Sequence, residues 1–181
     1  ATVQGEIERA IRAFAPEVDH VQVAGRTDAG VHALGQVAHF RTETTLEARR
    51  IAPAINFHLP KDIVVHEAED MPDTFNARHN SLWKRYRYRI YNGPQETALD
   101  QRFSWWLRAP LDLGAMQTAA KQLIGEHDFN AFRSVHCDAP HAVREMMSIN
   151  IEESTRPPRG RFVDLTFQAN AFCRHMCRVL A

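Results

Sequence analysis

The chain has no apolar run approaching the roughly 18 residues of a membrane span, so none of its 181 residues reads as part of a spanning helix. Cysteine is scarce. Cys137, Cys173 and Cys177 make an odd count without the spacing of a disulfide scaffold, and the expected setting is reducing and cytoplasmic. The segment from Ala1 to Arg12 alternates polar and apolar residues with its acids early, unlike a secretory signal. Charge of one sign is not in excess: 22 basic and 22 acidic residues balance. That total gives no support to nucleic-acid binding. Lysine is almost missing, with three against 19 arginines. The flat guanidinium suits phosphates and base faces better than an ammonium does; genomic base composition accounts for the same bias equally well.

Further absences narrow the chemistry. The ten histidines include no i, i+4 pair, and His32, His39, His58 and His66 match no recognised ligand spacing. Cys173, His175 and Cys177 lack the second ligand pair of a zinc site. A metal hydrolase is therefore disfavoured and no metal is expected. No Walker-type loop occurs, and no second Asp follows two residues after Asp28, which argues against phosphoryl transfer. There is no repeat, low-complexity tract or flexible linker.

What is present is enough for a buried core, in one domain or two small lobes. Val3, Ile7, Ala10, Ile11 and Phe14 have helical spacing, closed by Pro16. Val21–Ala24 reads as a short strand, Gly25–Gly30 as a loop and Val31–Phe40 as a second strand. Leu46–Ile55 reads as a helix running to Asn56, and Ile63–Glu67 as a strand. In Trp83–Tyr91 the period of two puts Tyr86, Tyr88 and Ile90 on one face and Arg85, Arg87 and Arg89 on the other. Phe103–Leu107 is a further strand, and Leu113 to Ile124 a helix stopped at Gly125. Ile149–Glu153 and Val163–Phe167 alternate again, joined by a hairpin connection at Arg156–Gly160. Ala171–Ala181 is a final helix. The order predicts an α+β fold with a mixed, mostly antiparallel sheet flanked by helices. The uncapped last helix, and a first helix with no strand before it, are expected to be interior parts of a longer protein.

The densest segment is Ala24-Gly25-Arg26-Thr27-Asp28-Ala29-Gly30-Val31-His32-Ala33-Leu34-Gly35-Gln36. Glycines let such a loop turn tightly and let a ligand approach the backbone. A carboxylate displayed there is accessible as a nucleophile. From composition alone the structural readings come first: Asp28 as an Asp that caps a turn, Tyr86 as a core aromatic, and Arg178 as a surface cation at a helix C-terminus.

Gly25-Arg26-Thr27-Asp28-Ala29-Gly30-Val31-His32 resembles the signature of the tRNA pseudouridine synthase A family. So do Val3–Glu8, Asn56–Pro60, Phe75-Asn76-Ala77-Arg78 followed by Lys84–Tyr88, Gly125–Phe129, and Asn170-Ala171-Phe172 with Met176-Cys177-Arg178, all in the family's order. Two departures stand out. The opening Asp-Gly…Gly-Trp-Gln strand is absent, and Cys177 replaces a usual Val, which reads as packing.

The resemblance implies a pseudouridine synthase fold of two ferredoxin-like halves, truncated at both ends. Residues 1–100 would form an N-terminal half with the Asp loop and 101–181 an incomplete C-terminal half, sharing one continuous sheet with the active-site cleft between them. It implies isomerisation of uridine to pseudouridine in the anticodon stem-loop of tRNA, at positions 38, 39 and 40, with no cofactor and Asp28 as nucleophile. Tyr86 would stack on the uracil and move a proton, and Arg178 would pair with Asp28. Arg26 would brace the helix from which the uridine is flipped. His32, Gln36 and Asn56 would line the pocket, and the partners would be tRNA and a second copy of the chain. The rival reading is a non-catalytic RNA-binding module. A buried carboxylate facing anionic RNA argues against it.

Overall fold

A computed structural model describes residues 2–155 and 159–181. They divide into two compact units, 1–81 and 82–181.

The first unit packs two helices, α1 (Val3–Arg12) and α2 (Ala48–His58), around Ile11, Val18, Val21, Ile51 and Ile55. α1 begins at Thr2, whose hydroxyl accepts the Gly5 N–H at 3.1 Å and satisfies one of the unpaired donors of the first turn. Arg9 reaches from α1 to the carbonyl of His58 at the end of α2, 2.8 Å away. The unit's only strands among the described residues are β1 (Gln22–Val23) and β2 (Ala38–His39), an antiparallel ladder pairing Gln22 with His39 and Val23 with Ala38.

Two strand expectations fail here for identifiable reasons. Residues 31–36 form no ladder, because the stretch they would face, 25–30, is folded into a turn. Leu34 is accordingly 82% exposed. Residues 63–67 are extended but form no ladder. The amide of Asn56 takes both backbone groups of Val65 instead, donating to its carbonyl and accepting its N–H, each at 2.7 Å. A single side chain here supplies the bonds a neighbouring strand would have offered.

The second unit is one five-stranded sheet in the order β4-β3-β7-β6-β5. Its strands are β3 (Lys84–Asn92), β4 (Trp105–Leu107), β5 (Gly125–Asp128), β6 (Val143–Thr155) and β7 (Arg161–Ala169). Only the β3–β4 pair is parallel. The fold is therefore α+β with a mixed, mostly antiparallel sheet, as expected. The helices are α3 (Leu113–Lys121), capped by Asp112, and α4 (Met176–Leu180). The last helix is shorter than expected, because His175 adopts a left-handed conformation (φ 62°) and the helix starts only after it. Thr155 faces Arg161 across the β6–β7 pair; of the expected hairpin connection between them, residues 156–158 lie outside the described residues.

Phe167, Ile90, Met146, Val163, Phe129 and Met176 form the core of this unit. β6 reaches it through a bulge at Met147. Arg144 and Met146 are buried before it, and Ser148, Ile149 and Ile151 are half-buried after it. One inserted residue thus switches the inward parity of the strand, which is why alternation is visible in the sequence only from Ile149.

The arginine face of β3 finds partners across the ladder. Arg89 donates twice to the carboxylate of Asp164, at 2.7 and 2.6 Å, and lies over the Phe162 ring. That hydrogen bond, and the carboxylate's charge, raise the pKa of Arg89. Arg85 donates twice to the Gln168 side-chain oxygen. Asp164→Ala should lower stability by about 1–2 kcal/mol, between the values for exposed and buried charge-assisted bonds. It should be read as a shift in urea midpoint with an unchanged m-value; no shift would mean that the pair contributes nothing.

Candidate active site

Asp28 occupies the tip of the loop between β1 and β2. Its carbonyl accepts the Val31 N–H at 3.1 Å, closing a turn in which Gly30 has φ +81°. A residue with a β-carbon would be strained there, so the glycine lets the turn form directly beside the carboxylate. Arg26, Thr27, Asp28 and His32 are all exposed. The neck of the loop is narrow. The Ala24 N–H donates to Val37 O at 2.8 Å, and the Gln36 amide crosses to the Gly25 carbonyl at 2.7 Å.

A second segment braces the base of this loop. Asn76 donates to the Gln22 side-chain oxygen at 3.2 Å, and its own oxygen accepts the N–H groups of Arg78 and His79. The Ala77 N–H donates to His39 Nδ1 at 3.2 Å, which fixes that nitrogen as an acceptor, and the His39 ring meets Phe75 edge-on. Gln22 and His39 are the facing pair of the ladder. Phe75–Ala77 therefore grips both strands from which the Asp28 loop emerges. None of Gln22, His39 and Asn76 was singled out as a site residue from sequence. The one available signal was the presence of Phe75–Arg78 among the family-like blocks.

The remaining candidates have separate settings. Asn56 uses its amide on Val65. Tyr86 and Arg178 belong to the second unit. Tyr86 lies on β3 opposite Phe167 of β7, its ring edge-on to Phe172 at 5.0 Å between centroids. Arg178 is exposed on α4, a helix anchored by fully buried Met176. The structure thus collects Arg26, Asp28, His32 and Gln36 on one loop, and places Tyr86 and Arg178 on β3 and α4.

Asn76→Ala removes the bridge to Gln22 and the one oxygen that accepts two local N–H groups. Amide exchange of Ala24 should then accelerate about tenfold, the equivalent of one hydrogen bond. Unchanged protection would show that the brace does not hold the neck.

Comparison with known proteins places this geometry. A family profile described as tRNA pseudouridine synthase matches residues 1–80 and 119–181, which include the Asp28 loop, its brace and α4. The tRNA pseudouridine synthase A of Paraburkholderia phymatum is 43% identical over 99% of this chain and 65% of its own length. Those of Burkholderia thailandensis and Paraburkholderia xenovorans are 42% and 44% identical over 99% of this chain and 64% of their own length. The chain thus spans a little under two thirds of these relatives. Among the described residues no group of His, Cys, Asp or Glu is placed to hold a metal ion, and no helix is long and apolar enough to cross a membrane. With the profile covering most of both units, the chain belongs to the tRNA pseudouridine synthase family.

Proposed function

We propose that this chain is the catalytic part of a tRNA pseudouridine synthase that isomerises uridine in the anticodon stem-loop, at the family's positions 38, 39 and 40, with Asp28 as nucleophile. The observation that carries the reading is the display of Asp28 at an exposed turn on a loop braced at its base. Such a carboxylate is open to substrate while its backbone is held in place.

The reaction breaks the N1–C1′ bond of uridine, turns the uracil and forms a C5–C1′ bond; C5 gives up a proton and N1 takes one up, so no atom is gained or lost. It is redox-neutral and needs no cofactor. Asp28 forms the covalent adduct that splits this rearrangement into two steps. Flipping the uridine out of the stem costs a few kcal/mol, which Arg26 offsets by stacking in the gap or binding phosphate. Arg178 supplies the positive charge that pairs with the nucleophile. Tyr86 stacks on the base and assists the C5 proton transfer. His32 and Gln36 line the pocket. Asn56 fixes the chain at Val65. The enzyme acts in the cytoplasm as a homodimer, where a basic cleft formed on assembly supplies the RNA-binding field that a net charge of zero does not.

Pseudouridine formation in an unmodified tRNA transcript, mapped by carbodiimide labelling and primer extension without added metal, tests the reading. Product is expected in the anticodon arm with wild-type protein. Asp28→Asn should reduce it to background while tRNA affinity is kept. Binding without product, from a version extended to the length of its relatives, would favour a non-catalytic RNA-binding module. Light scattering should give twice the mass of one chain; full activity in a monomer would refute the dimer.

A further inference from the structure

The three cysteines of the second unit differ sharply in environment. Cys137 closes a turn on Ser134, its N–H donating to the Ser134 carbonyl at 3.0 Å. Cys173 lies just beyond β7, only 4% exposed. The stretches holding them are stitched together. Ser134 N–H donates to Arg174 O at 3.0 Å, Arg174 N–H to Cys137 Sγ at 3.4 Å, and Arg174 Nη1 to His136 O at 3.3 Å. The Cys137 sulfur therefore sits against the backbone of the residue that follows Cys173, and its side chain packs on the core cluster that includes Cys173.

Each sulfur has the surroundings of one partner in a thiol–disulfide couple. Half-exposed Cys137 receives the N–H groups of Ala139 and Arg174, with the Arg133 guanidinium nearby. These hold its pKa below the ordinary thiol value. A thiolate stabilised in this way is the reactive form. Burial pushes the Cys173 thiol up, against the opposing charge of Arg144. Arg144 is itself 8% exposed, and its Nε is buried without a hydrogen-bond partner. A buried guanidinium with an unmatched N–H beside a thiol is suited to meet an anionic sulfur. Cys177 is unlike either, with burial raising its pKa to about 12.

We propose that Cys137 and Cys173 are a redox-modification site, at which a hydroperoxide oxidises Cys137 and Cys173 closes a disulfide with it. The Cys137 thiolate attacks the peroxide O–O bond, giving a sulfenic acid and an alkoxide or hydroxide that takes up a proton. Cys173 then attacks the sulfenic sulfur and water leaves. Two thiols and one hydroperoxide become one disulfide, one alcohol or water, and one further water, a two-electron oxidation. The disulfide would tie the 133–139 loop covalently to the stretch that leads into α4. This site does not depend on the pseudouridine synthase reading.

The test treats the reduced chain with hydrogen peroxide, alkylates it after denaturation and maps the peptides by mass spectrometry. Two thiols should be lost together, with a peptide joining Cys137 to Cys173 that is two hydrogens lighter and is restored by dithiothreitol. Cys177 should remain alkylatable. Cys173→Ser should stop at a sulfenic acid on Cys137 that dimedone traps, and Cys137→Ser should give no bridge. The wild-type result stands even if a variant at buried Cys173 fails to fold. Advance of Cys137 to sulfinic acid with Cys173 intact would overturn the proposal. So would a bridge to Cys177 or to another chain, or survival of all three thiols at peroxide levels that consume free cysteine.

Discussion

The ladder of Gln22 with His39 and Val23 with Ala38 closes a loop, residues 24–37, that buries almost nothing of its own. Closing such a loop costs about 2 kcal/mol in its length-dependent entropy alone, and two ladder pairs are a weak fastening. The structure adds the Gln36–Gly25, Asn76–Gln22 and Ala77–His39 bonds at the neck and base. At about 0.5–1.5 kcal/mol each, these are of the size needed to offset the closure cost. Above this neck the loop is left exposed, so a carboxylate can be both accessible and held in place. A site on a longer ladder would be firmer, but its side chains would alternate into neighbours and leave fewer of them open to a ligand.

The same reasoning explains which parts were legible in the sequence. β3 was legible because alternation of Tyr86, Tyr88 and Ile90 against the arginines is a local pattern. The partners of those arginines were not, since Asp164 and Gln168 lie far along the chain and only strand register brings them opposite. Val31–Val37 carries apolar residues like a strand, but strand formation needs a facing partner, and the turn at Asp28–Val31 removes it. The Met147 bulge hid the first half of β6 by shifting its parity. The extended 63–67 segment lost its ladder to one asparagine.

At the candidate site the distinction runs between groups and their partners. Arg26, Asp28 and His32 could be named from a contiguous motif. Gln36 and Asn56 could be named too, yet an amide serves a backbone as readily as a ligand, and the structure gives Gln36 to Gly25 and Asn56 to Val65. The brace joins Asn76 to Gln22 across 54 residues and Ala77 to His39 across 38. Among ten histidines, nothing local marked His39 as an acceptor for a backbone N–H. The thiol pair was hidden for the same reason, an odd cysteine count having suggested only the absence of a disulfide framework.

Arg178 raises a different constraint. Its helix, α4, has five residues, far below the length at which a helix holds itself in water. Its position must therefore be imposed by what precedes it. Residues 170–176 do this through several contacts at once. The Asn170 side chain accepts the Glu145 N–H, and Phe172 meets the Tyr86 ring. Arg174 joins the 133–139 loop at three points, while buried Met176 anchors the helix start. Tyr86 and Arg178 are thus set by one short connector, and the left-handed turn at His175 aims the helix that leaves it. A change of bonding at Cys173 lies one residue from the ring against Tyr86 and ahead of the turn that carries Arg178. Any disturbance of this connector would reach both residues, while the Asp28 loop, with its brace in another part of the chain, keeps its own local support.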